Sequence, residues 1–152
     1  MAAVRRDIGS MVAGLALLSG LSSGALAGPA QDYVLHCMGC HGPTAEGVPG
    51  KVPPLAVSLV QFMRSPAGRS YVLRVPGASN SMLTDAQLAG VLNWIATRFS
   101  GTQDNTPASL PPAFTAQEVA SYRRMPMAAV QATRREVVRE LAANGAAPSE
   151  SY

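Results

Sequence analysis

Large aromatic rings are scarce in this chain: Phe, Trp and Tyr together make up 5% of its 152 residues. With so few big side chains a core is short of volume, which a bound apolar group would help to supply. Charge is thin as well. Asp, Glu, Lys and Arg amount to 14%, which excludes the solvating composition of a disordered segment and fits one compact domain. No long basic run exists, so nothing points to nucleic acid. Cysteine and histidine each occur only twice. Glycine and proline, 14 and 12, fall mostly after residue 28 and call for generous loops. No internal repeat and no convincing strand pattern is found.

The first 27 residues stand apart. Arg5 and Arg6 precede an uncharged apolar or small stretch from Ile8 to Gly24, which ends in Ala25-Leu26-Ala27. A charged start, an apolar middle and a small-x-small exit are the three parts of a secretory leader, with cleavage expected after Ala27. Gly9, Gly14, Gly20 and several serines dilute the stretch too far for a stable membrane helix. Arg5 and Arg6 invite a twin-arginine reading, but Asp7-Ile8-Gly9 continues it poorly, so general secretion is expected. Of the 12 basic and 9 acidic residues, Arg5, Arg6 and Asp7 leave with the leader, and the remainder carries 10 − 8 = +2. Localisation in the periplasm, without a membrane span after cleavage, is the expectation.

Both cysteines lie in one string, Cys37-Met38-Gly39-Cys40-His41. Three chemistries compete for it. A thioredoxin-like dithiol needs a strand before the motif, whereas Gln31 to His36 reads as a short helix. A structural zinc site wants four ligands, and outside the motif only His36 remains, so a carboxylate would have to complete it. The third is covalent attachment of haem c, whose pattern is C-x-x-C-H. Two thiols three residues apart on a helical turn can each add to one vinyl group of the same porphyrin. The adjacent imidazole then falls under the iron. A leader ending ten residues upstream of Cys37 strengthens this third reading, since export supplies the right compartment.

Helices are expected over Ala30 to Cys37, with Tyr33 and Val34 facing inward, and over Leu59 to Arg64 with Ser58 as N-cap. Another is expected from Ser65-Pro66 to Arg74. Between them a Gly/Pro-rich loop runs from Gly42 to Leu55. The clearest helix follows the capping box Thr84 to Gln87, and Leu88, Val91, Leu92, Ile95 and Phe99 give it one apolar face. A polar strap spans Thr102 to Pro112. A second capping box, Thr115 to Glu118, opens a helix to about Arg124. Pro126 is expected to start the last helix, with Val130, Val137, Val138 and Leu141 on its weaker face.

With these pieces in order, residues Ala30 to Ser100 resemble a class I cytochrome c, an all-α, cytochrome c-like small helical fold around a covalent haem. The division expected is 1–27 leader, 28–101 haem domain and 102–152 helical extension. The resemblance implies that the Tyr33-Val34 helix meets the Leu88-to-Phe99 helix beside the haem. It implies Cys37 and Cys40 as attachment points, His41 as proximal iron ligand, and the Pro53 carbonyl as acceptor of the His41 Nδ1 proton. The family takes its sixth ligand from a Met, often Met-Pro, in the loop before the last helix, where this chain has Val75-Pro76. Met82 is the expected ligand, with Met63 and an open position as alternatives. Met38 lies on the proximal side, and Met125 and Met127 belong to the extension. His36 is expected at the surface. Trp94, Tyr71, Arg69 and Arg74 are weak candidates for contact with the haem propionates, and Asn93 is undecided.

The function implied is electron transfer by iron cycling, as a carrier and not an enzyme. Expected partners are redox proteins: a dehydrogenase on one side and an oxidase or another cytochrome on the other. Two alternatives remain: an open-site haem protein that binds a small ligand or reacts with peroxide, and a cytochrome subunit fixed in a larger redox enzyme.

Overall fold

A computed structural model describes residues 28–101, 110–146 and 148. The expected leader, most of the polar strap and the last residues of the chain lie outside them. The described residues form eight helices and no strand; the single β-bridge pairs Val48 with Val52. No helix among them is long and apolar enough to cross a membrane.

The helices are α1 (Pro29–His36), α2 (Met38–His41), α3 (Ser58–Phe62), α4 (Pro66–Arg74), α5 (Pro76–Ser79), α6 (Asp85–Arg98), α7 (Ala116–Tyr122) and α8 (Val130–Ala143). Several start where the sequence places them. Ser65 caps α4 by accepting from Gly68 N at 3.0 Å. Thr84 and Gln87 close a full capping box on α6. At α7 the hydroxyl of Thr115 accepts from Glu118 N, but the Glu118 carboxylate turns to Arg69, so the box is half made.

Other starts differ. Ser58 does not cap α3; its hydroxyl donates to Pro54 O at 2.7 Å, and Val57 takes the cap position with φ +64. Val75-Pro76-Gly77 is no plain loop, because Pro76 opens the short α5. The last helix begins at Val130, four residues beyond Pro126. Arg74 donates to the carbonyls of Met125 and Pro126, so these oxygens are engaged by a side chain from α4 ahead of the helix.

The core forms where α1 meets α6. Tyr33 is almost fully buried and its ring lies 5.4 Å from Trp94 and 5.8 Å from Phe99, centroid to centroid. Leu88, Val91, Leu92 and Ile95 of α6 are buried in the same cluster. Val34 does not join them. It is 50% exposed, because the buried side of α1 is centred on Asp32 and Tyr33 and Val34 falls just past its edge.

The segment after residue 110 closes onto this core. Phe114 and Val119 are buried in the main cluster, and the Asn93 amide bonds both to Phe114 O at 2.9 Å and to Phe114 N at 2.7 Å. Arg69 grips Glu118 with two nitrogens at 2.6 Å, donates to Pro112 O and Ala113 O, and lies 4.2 Å above the Phe114 ring. Farther on, Val137 and Leu141 of α8 pack with Phe62 and Tyr71.

Gly68 sets how closely α4 can follow α3. A Cβ there would lie 2.1 Å from Phe62 O and 2.8 Å from Phe62 C, both backbone atoms that cannot step aside alone. Gly68→Ala is expected to lower stability by about 1–3 kcal/mol, the usual cost of overpacking, read as a lower denaturant midpoint with an unchanged slope.

Candidate functional site

The string Cys37 to His41 straddles the junction of α1 and α2. Cys37 N still bonds back to Tyr33 O, while the amides of Cys40 and His41 both bond to Cys37 O. This tight turn brings Cys37, Cys40 and His41 to the wall of one cavity of about 510 Å³, within the range of small-molecule and cofactor sites. Neither cysteine is in a disulfide. Burial, aided by the Asp32 carboxylate and by Cys40, pushes the Cys37 thiol up to about 11. No cluster of three or more His, Cys, Asp or Glu is found among the described residues, so zinc has no full ligand set there.

His41 is held by its far nitrogen. Nδ1 lies 3.0 Å from the Pro53 carbonyl oxygen. That oxygen can only accept, so Nδ1 carries the proton and Nε2 keeps its lone pair for an acceptor or ligand role. Burial lowers the imidazole pKa, against the Pro53 bond, which raises it. A neutral ring with a free Nε2 is the form that binds a metal.

The loop that delivers Pro53 is tied from both ends. Tyr33 Oη donates to Gly42 O at 2.5 Å. Gly47 N donates to His41 O at 2.8 Å, and Val48 and Val52 exchange two backbone bonds. Ala45, fully buried with φ +59, accepts from both Leu55 N and Ala56 N.

The rest of the wall is largely apolar. Leu59 and Phe62 of α3, Val72 of α4, and Leu88, Val91, Leu92 and Ile95 of α6 contribute to it. Its charged members are Lys51 and Arg134, beside His36 and His41, and no Asp or Glu among the described residues lines it. Two thiols and a metal-competent imidazole at one wall, apolar sides, and cations without carboxylates fit a porphyrin that carries iron and two acidic tails.

The expected site residues are thus partly united. Cys37, Cys40, His41 and Pro53 share one wall. Met82 is 89% exposed and lies outside the cavity lining, between Ser81 and Leu83, which line it. Met63 is buried in the main cluster and does not line the cavity either. His36 is exposed, as expected, yet borders the cavity. Tyr71 lines it, whereas Trp94 packs against Tyr33 and Phe99. Arg69, Arg74 and Asn93 all tether the segment after residue 110.

Sequence reasoning missed Val130, Gln131 and Arg134 of α8, which line the same cavity. A signal existed: Arg134 lies four residues after Val130 and three before Val137, on the face already read as apolar.

A helical shell around an apolar, cation-bearing cavity, with two thiols and an imidazole on one turn, defines a haem-attaching electron-transfer protein. Two curated proteins, both named Cytochrome c-552 and both from Thermus thermophilus, are similar to the chain. One, from a specified strain of that organism, is 34% identical over 125 residues, which cover 70% of this chain and 81% of that protein. The other is 32% identical over 105 residues, 57% of this chain and 78% of that protein. No protein-family model matches. The chain belongs to the class I c-type cytochromes, and its cofactor is one covalently bound haem c.

Gly47 tests how tightly the loop sets the imidazole. Its φ is +71, and a Cβ would lie 2.4 Å from Val52 O and 2.8 Å from Pro53 C. Gly47→Ala is expected to displace Pro53, cost about 1–3 kcal/mol, and speed solvent exchange of the His41 Nδ1 proton measured by NMR.

Proposed function

We propose that this cytochrome is an exported, periplasmic one-electron carrier working between a dehydrogenase or other donor and an oxidase or another cytochrome. The observation that carries the reading is the convergence of Cys37, Cys40 and His41 on one wall of an apolar cavity whose described lining holds no carboxylate. Cys37 and Cys40 anchor the haem as thioethers, His41 Nε2 binds the iron, and Pro53 orients the ring through Nδ1. When bound, the haem supplies an iron that cycles between Fe(III) and Fe(II).

The chain's own residues serve that cycle in three ways. The Pro53 carbonyl draws on the Nδ1 proton and makes the imidazole a stronger donor, which favours the more highly charged ferric state. The apolar wall from α3 and α6 excludes water and works in the opposite sense, since burial disfavours net charge. The packed helices α3 and α6 would hold the haem in a close-packed wall, which keeps the protein's own share of the reorganisation small. The pattern of residues 1–27 supports export. The side chain of Met82, the expected sixth ligand, stands outside the cavity.

Expression in a periplasm with cytochrome c assembly machinery tests the proposal. The mature protein is expected to begin at Gly28, to keep its haem under denaturing electrophoresis, and to undergo reversible one-electron voltammetry. Cys40→Ala is expected to retain a single thioether through Cys37. Its pyridine haemochrome α band should move to longer wavelength, because the spared vinyl group extends the conjugation. Haem that extracts into acidified solvent from the unmutated protein would overturn the attachment.

A further inference from the structure

We propose that the iron held by His41 has no protein sulfur on its other side and takes a small exogenous ligand there: carbon monoxide or nitric oxide as Fe(II), cyanide as Fe(III). The inference rests on the haem-attachment reading above. None of the five methionines among the described residues lines the cavity.

Met82 is kept out by the way its neighbours are used. Ser81 and Leu83 both face the cavity, and Leu83 is 4% exposed against 89% for Met82. The backbone bends at Met82 and Leu83 and leaves these two neighbours on opposite sides, one in solvent and one in the core. Turning Met82 inward would displace Leu83 from its buried place. The segment is also clamped. Arg123, itself buried, donates to Leu83 O and Ser81 O, both at 2.8 Å, and to Asp85 Oδ1 at 2.9 Å. A planar guanidinium that bonds two carbonyls on either side of Met82 fixes both peptide groups at once. The Ser81 hydroxyl adds a bond to Ala78 O at 2.9 Å.

Met63 is no substitute. It is 3% exposed inside the main cluster, and Met63 N is bonded to Leu59 O at 3.0 Å. Withdrawing it would leave a void among Leu59, Leu73 and their neighbours. The remaining wall is mostly apolar, which suits a neutral diatomic. Binding is a dative bond from the ligand to the iron, with no change of oxidation state.

The test uses the matured holoprotein, first assayed for covalent haem by pyridine haemochrome. Absorption spectra are then compared for the unmutated chain, Met82→Ala and Met63→Leu. The expected result is a high-spin ferric spectrum without a sulfur-to-iron band, superimposable in Met82→Ala. The ferrous Soret band should shift under carbon monoxide, and cyanide should convert the ferric form to low spin. A sulfur-to-iron band abolished by Met82→Ala or by Met63→Leu overturns the proposal and leaves haem attachment intact. So does a low-spin ferrous form inert to carbon monoxide, which would mean an internal nitrogen ligand such as Lys51 or His36. Absence of covalent haem overturns the attachment reading and this proposal with it.

Discussion

The hydrogen bond between His41 Nδ1 and the Pro53 carbonyl, at 3.0 Å, is the constraint on which the site turns. It decides the tautomer, and with it whether Nε2 can face the cavity as a lone pair. A proline carbonyl is well suited to the task. Pro53 has no N–H of its own to satisfy, its φ is locked, and Pro54 after it keeps it out of the helical region. The loop around Ala45 and Gly47 exists in this form to bring that one oxygen twelve residues along the chain to the ring. Tyr33 joins the same arrangement to the core, since its ring packs on Trp94 and Phe99 while its hydroxyl holds Gly42 O. A change in the α1–α6 contact is therefore felt at the imidazole.

The segment after residue 110 is built into the protein rather than appended to it. Three arginines do most of the joining: Arg69 and Arg74 reach out from α4, and Arg123 reaches back to the loop before α6. Each donates to main-chain carbonyls as well as, or instead of, a carboxylate. Arg is fitted to this because its donors lie in a rigid plane, stay charged at any relevant pH, and desolvate more readily than an ammonium. Arg134 extends the pattern into the cavity wall, where its guanidinium lies 5.4 Å from the Phe62 ring centroid.

Much of the framework was legible from residue order. The capping box at Thr84 and Gln87, the Ser65-Pro66 start and the apolar face from Leu88 to Ile95 all form as their local chemistry requires, because caps and helical periodicity are short-range effects. The starts of α3 and α8 were not legible. At α3 the Ser58 hydroxyl is taken by Pro54 O, and before α8 the carbonyls of residues 125 and 126 are taken by Arg74. The first is a competing bond four residues back that cap rules do not include, and the second runs across the fold, where no local propensity records it.

Spacing alone determined that two thiols and an imidazole would share one turn, since residues 37, 40 and 41 cannot be far apart on any helix. The Pro53 carbonyl was expected at the ring only through the family resemblance, and it is the fold of the intervening loop that brings it there. Which side of the chain Met82 faces was a different kind of question. The outcome hangs on Leu83 being buried and on Arg123, about forty residues later, holding the carbonyls on either side of Met82. The same holds for Val130, Gln131 and Arg134, which reach the cavity only because α8 folds back over α3 and α4. Local sequence determines which groups a turn presents; only tertiary packing decides which of two opposite faces of a segment is buried, because that choice rests on surfaces the segment does not itself contain.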